Sequence, residues 1–196
     1  MTKHLSPDER NKQIIEAART CFLDRGYFAT KMDDIAKTAG LSKGGVYFHF
    51  QSKRDIFHAL VIGDYDSMFV FVEDVIASEQ DLYTKLLNLS THFIGMFGEH
   101  NHSRMLIIVS EMAMRDEEIR TQIHGFYVGY VQKIAELLQS YADSGELREG
   151  IDLEATSFVL KAIIDGVQAA ASMGHVFELD RLTRAAVDMV IHGVKR

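Results

Sequence analysis

The sequence predicts an all-α protein of about nine helices, and three observations carry that expectation. Apolar residues recur at three- and four-residue spacing through most of the chain, with no internal repeat and no low-complexity segment. The one proline, Pro7, follows Ser6 at the start of the first helix, where its missing N–H costs nothing. Polar capping residues and glycine-bearing breaks separate the periodic runs.

The elements follow in order. The first helix carries Ile14, Ala17, Ala18, Cys21 and Phe22 on its apolar side. Thr30 with Asp33 three residues on predicts a second helix from about Lys31 to Ala39, the hydroxyl capping free N–H groups and the carboxylate favouring the positive helix end. Its face is Met32, Ile35, Ala36 and Ala39, and Gly40 ends it. After the apolar turn residue Leu41, Ser42 caps a third helix that runs to about His49. Ser52 opens a fourth, long helix whose apolar positions run from Ile56 through Tyr65 to Ile76 at helical spacing; it joins the first part of the chain to the rest and is the expected transmission element. Further helices are predicted over Leu82–Gly98, Ser103–Met114, Glu117–Ser144, Leu153–Met173 and Leu179–Val194.

The second and third helices with the glycine between them have the outline of a helix-turn-helix, in which the second helix presents its N-terminus to base edges in the major groove. Lys43, Gly44 and Gly45 occupy that end. Two glycines cost a short helix about 1 kcal/mol each relative to alanine, so their presence points to close approach of backbone to DNA.

From about Asn11 to Leu60 the chain resembles the TetR family of bacterial transcriptional regulators. The specific part is Leu41-Ser42-Lys43-Gly44-Gly45-Val46-Tyr47-Phe48-His49-Phe50, with Ser52-Lys53 and Phe57 after it. The resemblance implies that Tyr47 and His49 contact phosphates, that Lys53 does so from the start of the fourth helix, and that Lys43 faces bases. Thr30, Lys31, Ser42, Gly44 and Gly45 complete the expected DNA-binding face. Phe48 stands where the family commonly has tyrosine, and is expected to be a packing group. The resemblance also implies nine helices, a three-helix reader (residues 1–54) and a larger effector-binding and dimerisation domain (residues 55–196).

Charge supports this division. The whole chain carries −7, but residues 1–60 carry +3 and the remainder −10, so only the N-terminal part suits a polyanion, through Lys31, Lys37, Lys43, Lys53 and Arg54. A hydrophobic fraction of 47% with 25% charged residues fits a globular domain. No apolar run reaches the ~20 residues of a membrane span. The single cysteine, Cys21, cannot form an internal disulfide, so a cytoplasmic, buried and inert thiol is expected.

The helices from Leu82 to Tyr141 are rich in soft and aromatic residues. Phe93, Met96, Phe97, Met112, Phe126, Tyr127 and Tyr130, with Asp165 on a later apolar helix, are the candidate effector pocket, a set that equally fills an ordinary core. The segment from Phe93 to Asn101 and the later Ser144 to Leu147 resemble acyl-CoA-responsive members of the family. In the last two helices Phe158, Ala162, Gly166 and Ala170, with Leu182, Ala186 and Met189, form either a monomer core or a dimer seam. The helix-turn-helix favours the seam, because such readers work as two-fold dimers.

Glu99, His100 and His102, with Asp116 and Glu117, offer metal-type side chains without structural-site spacing, and are read as surface, so no metal and no cofactor are expected. Asp165 and His92 are expected to be paired inside the fold. With no phosphate loop, nucleophile elbow or HExxH helix, an enzyme is not expected. The expected function is a homodimeric, ligand-responsive regulator, most simply a repressor, on a palindromic DNA operator, released by a hydrophobic or amphipathic small molecule. A helical interaction protein or ligand carrier that does not act on DNA is the alternative.

Overall fold

The computed structural model describes residues 5–98, 102–172 and 178–195. Among them nine helices follow one another: α1 Pro7–Arg25, α2 Met32–Ala39, α3 Lys43–His49, α4 Lys53–Ala77, α5 Leu82–Gly98, α6 His102–Arg115, α7 Glu117–Asp143, α8 Leu153–Ser172 and α9 Leu179–Val194. Among the described residues an isolated antiparallel bridge between Leu147 and Lys195 also ties the α7–α8 connection to the end of α9.

The helix starts follow capping chemistry. Ser6 and Glu9 form a reciprocal box on α1, the Ser6 N–H donating to Glu9 at 2.7 Å and the Glu9 N–H donating to Ser6 Oγ at 3.2 Å. Ser42 and Ser52 accept from Gly45 and Asp55 at the starts of α3 and α4, and Asp116 accepts from Glu118 and Ile119 at the start of α7. Gly40 ends α2 with φ 66° and ψ 30°, a left-handed conformation open to glycine without a Cβ penalty.

Two apolar cores result. The first is built by α1, α2, α3 and the start of α4 (Ile56, Phe57, Leu60, Val61), and it also takes in Met105, Ile108 and Met112 of α6 and Ile119 of α7. The second joins the rest of α4 to α5, α7, α8 and α9. A division at residue 54 therefore separates elements but not cores. Tyr65, midway along α4, packs against both cores and stacks on Phe126 of α7, ring centroids 4.4 Å apart and 12° from parallel. Two helices thus bridge the cores: α4, at 25 residues about 37 Å long, and α7, with Ile119 in the first core and Tyr130 and Ile134 in the second. Where α4 and α7 cross, a Cβ on Gly129 would lie 3.1 Å from the Phe69 ring, so glycine lets these helices approach closely.

Cys21 is buried as expected, its sulfur 3.3 Å from the Thr38 hydroxyl.

Candidate nucleic-acid interface and ligand cavity

The exposed side of α3 is set by its one inward residue. Val46 is fully buried against the first core, which turns Lys43, Gly44, Tyr47 and Phe48 outward on the opposite face. Ser42 caps the base of that face, and Lys31 at the start of α2 is exposed beside the same reader. Lys43 extends to Asp33 of α2, Nζ to Oδ1 2.8 Å, and this carboxylate raises the lysine pKa. His49 is half-buried, its Nδ1 2.7 Å from Asn11 Oδ1 on α1, so the ring is oriented by a polar contact across the reader.

The two glycines have different reasons. A Cβ on Gly44 meets nothing within 4 Å, so the open space there permits close approach of another molecule. On Gly45 it would come within 3.3 Å of Ser42 Oγ, the atom that caps the helix, so Gly45 also serves the fold.

Three sequence expectations are corrected here. Thr30 does not cap α2: it is 1% exposed, and its hydroxyl donates to Gly26 O (2.8 Å) and Cys21 O (3.2 Å) at the end of α1. The cap residue is Lys31, whose backbone N–H donates to Asp34 at 2.9 Å, so Thr30 belongs to the reader's interior, not to its outer face. Lys53 is not a projecting cation. Its ammonium donates to Tyr27 O and Thr30 O, both at 2.6 Å, and lies 4.3 Å from the Tyr27 ring centroid, tying the α1–α2 turn to α4. Burial lowers its pKa. Phe48 is not a packing group: it is 85% exposed, and among the described residues its one aromatic contact is an edge contact with the His49 ring.

The second region is a cavity of about 310 Å³ between α4, α5, α6, α7 and α8, within the usual range of small-ligand sites. Val61, Tyr65, Met68, Phe93, Met105, Leu106, Val109, Ile123 and Phe126 supply most of its wall, with Tyr127, Tyr130, Lys161, Asp165 and Gln168 as polar members. Five expected residues therefore converge: Phe93, Phe126, Tyr127, Tyr130 and Asp165. Met112 does not join them: it lies two turns beyond Met105 along α6, where it fills the first core. The side chains of Met96 and Phe97 lie outside the described residues.

The polar end of the cavity centres on Lys161, whose side chain is 6% exposed. Its ammonium pairs with Asp165 one turn on and lies 4.4, 4.8 and 5.9 Å from the ring centroids of Phe93, Tyr127 and Tyr130. Burial lowers the Lys161 pKa, and Asp165 opposes that shift. Burial, then the Asp165 charge, raises the Tyr130 phenol, whose hydroxyl has no hydrogen-bond partner among the described residues. Gln168 spends its amide on Phe93 O at 2.6 Å. Sequence reading missed Lys161; its signal was a lysine inside the apolar run Phe158 to Ile164, four residues before Asp165, the spacing of a helical ion pair.

His92 is stacked on Phe71, centroids 3.6 Å apart. Of the metal-type loop, Glu99, His100 and the His102 side chain lie outside the described residues. Among those described, His58, Asp116 and Glu118 bring ligand atoms within 4.8 Å of one another. Arg54 already fills that position, donating to Asp116 at 2.5 and 2.9 Å and to Glu118 at 2.8 Å.

On the outer side of α8 and α9, Phe158, Val159, Ala162, Gly166 and Met189 are exposed and Ala170 and Leu182 are half-buried. Ala186 is corrected: it is buried in the chain itself.

Comparison with known proteins agrees with this anatomy. Residues 14–60 match the bacterial regulatory proteins of the tetR family, and residues 98–193 match the C-terminal part of BetI-type transcriptional repressors. The fatty acid metabolism regulator protein of Bacillus subtilis is 28% identical over 93% of this chain and 94% of its own length. Among solved structures, a TetR-family regulator of Mesorhizobium loti superposes with TM-score 0.82 at 20% identity, covering 98% of this chain and 100% of that one. A complex of SmeT with triclosan superposes with TM-score 0.75 at 24% identity, covering 96% and 92%. SmeT is the repressor of a multidrug efflux pump of Stenotrophomonas maltophilia.

Proposed function

This chain belongs to the TetR family of bacterial regulatory proteins, and from that premise we propose that it is a homodimeric repressor whose grip on a palindromic operator is released by a small apolar or amphipathic effector. The family and the relatives are regulators of transcription, and the chain is a regulator, not an enzyme. No described helix is long and apolar enough to cross a membrane, and a repressor acts in the cytoplasm where the operator is.

The observation that carries the reading is the double role of α6. Met105, Ile108 and Met112 pack into the core that holds α3, while Met105, Leu106 and Val109 wall the cavity. A ligand that fills the cavity pushes on the reader's own core. Release follows if the ligand binds better to the conformation in which two readers are wrongly spaced for adjacent major grooves. The sequence assigned transmission to α4 alone; in this reading α6 shares it.

Three features support the finer points. Lys31, Lys43, Tyr47 and Phe48 form an outward reader face in the part of the chain with net positive charge. Phe158, Val159 and Met189 expose apolar surface on α8 and α9, which a second copy covers by two-fold pairing. The apolar wall suits an acyl-chain or drug-like effector, in keeping with the B. subtilis relative's name and with the triclosan bound by SmeT.

The test is fluorescence anisotropy of DNA flanking the gene, at two salt concentrations, against an unrelated duplex. Tight, salt-dependent preference for the flanking DNA, lost on adding an effector, is expected. Equal weak binding to both duplexes in effector-free protein overturns the reading for that DNA, and insensitivity to every cavity-binding compound overturns the release mechanism.

A further inference from the structure

We propose that the cavity takes an apolar chain headed by a single carboxylate, seated between Lys161 and Tyr130 in the place that Asp165 now holds. The inference rests on the cavity being the effector site and names the chemistry that site selects.

The argument starts from unmet donors. An ammonium has three N–H donors, and among the described residues the one oxygen acceptor of Lys161 is Asp165. The rest of the charge lies over the rings of Phe93, Tyr127 and Tyr130. Tyr130 is buried, and among the described residues its hydroxyl has no hydrogen-bond partner, a costly state for a buried phenol. Two buried donors with too few acceptors thus border one apolar space. A carboxylate is acceptor-only and has two oxygens, so it satisfies both at once.

Asp165 is built to give way. Its side chain is 36% exposed while that of Lys161 is 6% exposed, so the carboxylate can turn to water and the ammonium cannot. The Tyr127 phenol also lies within its reach, and burial, then the Asp165 charge, raises that phenol's pKa. The other acid on the wall, Asp64, is already held by Arg19 through two bonds of 2.6 and 2.8 Å and does not compete.

The same features exclude other heads. A cationic ligand finds the aromatic faces already occupied by the chain's own ammonium, and Lys161 repels it. A second acidic group finds no second cation among the described residues of the wall. The volume limits the tail: about 310 Å³ is roughly ten water volumes, close to the size of a ten-carbon acid.

Isothermal calorimetry of the full-length protein with decanoate, decanol and decyltrimethylammonium tests this. Decanoate is expected to bind about tenfold or more tightly than either analogue, and Lys161→Met to erase that advantage, so that decanoate binds no more tightly than decanol. Tyr130→Phe, a milder change that keeps the ring, should weaken decanoate several-fold. Asp165→Asn should tighten it, because a competitor is removed; a merely structural role for the pair predicts no gain. Decanol or the quaternary ammonium binding as well as decanoate overturns the carboxylate assignment and leaves the cavity reading intact. If none of the three binds, the cavity reading falls and this inference with it.

Discussion

Lys43 and Asp33 meet across the two reader helices, Nζ to Oδ1 2.8 Å, with both side chains more than half exposed. The cation expected to face bases is therefore held by a carboxylate of its own chain, on the face DNA must approach. Exposed pairs are weak, so the contact is exchangeable for phosphate or a guanine edge. Replacing Asp33 by Asn frees the lysine and removes a negative charge from the interface. Asp33→Asn is expected to bind all duplexes several-fold more tightly, with a steeper salt dependence, in anisotropy titrations at two or more salt concentrations. Unchanged affinity and slope would mean that Lys43 is not at the DNA.

Lys53 has the opposite character. Its ammonium serves the Tyr27 and Thr30 carbonyls, and removing it strands two acceptors at the turn that feeds α2. Lys53→Met is expected to cost about 1–2 kcal/mol of stability in urea or thermal unfolding. The logarithmic salt slope of DNA binding should stay at the wild-type value, because no phosphate contact is lost. A slope reduced by about one would restore Lys53 to the phosphate-contacting set.

Phe48 projects from α3 with 85% of its surface in solvent, where an aromatic ring gains nothing for the monomer. Beside Tyr47 and Lys43 it is placed to meet sugar or a thymine methyl in a groove. Phe48→Ala is expected to leave unfolding within about 0.5 kcal/mol of wild type and to weaken DNA binding. Operator affinity equal to wild type would remove Phe48 from the interface.

The helices were legible because their signals are local. Ser42, Gly40, Ser52 and the spacing of Ile35, Ala36 and Ala39 act within one or two turns, and they found α2, α3 and α4 within a residue or two. The misread residues are those whose partners lie far along the chain or whose helix has two working faces. Lys53 reaches back 26 residues to Tyr27. Thr30 turns inward because the end of α1 offers its hydroxyl the Gly26 and Cys21 carbonyls. Met105 and Met112 sit two turns apart on one helix and both fill the reader core, but only Met105 reaches the cavity wall, a distinction periodicity alone does not draw. Lys161 was hidden in an apolar run because nothing local says that Phe93, Tyr127 and Tyr130 close around it.

Arg54, at the start of α4, clasps Asp116 and Glu118 at the start of α7, joining the reader to the effector half by charge where the cores join them by packing. The guanidinium, and then backbone N–H donors, hold the Asp116 carboxyl below its usual range. A depressed carboxyl pKa stabilises the fold above the unfolded value, near 4, and that contribution is lost as the pH falls further. Thermal unfolding is therefore expected to weaken below about pH 4, and less steeply in Asp116→Asn, which keeps an oxygen for the α7 cap but not the charge. Identical acid profiles would rule out the Arg54–Asp116 pair as a source of the pH dependence.

Phe158 and Met189, 52% and 70% exposed, lie on the outer faces of α8 and α9 with small residues around them. Glycine and alanine at 162, 166 and 170 let a second helix approach closely, and the buried side of the same helices, with Ala186 and Ile164, keeps the monomer folded without it. A charge on the outer face should therefore break pairing and spare folding. Phe158→Glu combined with Met189→Glu is expected to sediment as a monomer at micromolar concentration where wild type sediments as a dimer, with far-UV circular dichroism unchanged. Because a dimer places two readers on half-sites about 34 Å apart, the variant should retain only weak binding, at the level of an unrelated duplex. Wild-type protein that is itself monomeric at that concentration would move the dimer from the free protein to its complex with DNA.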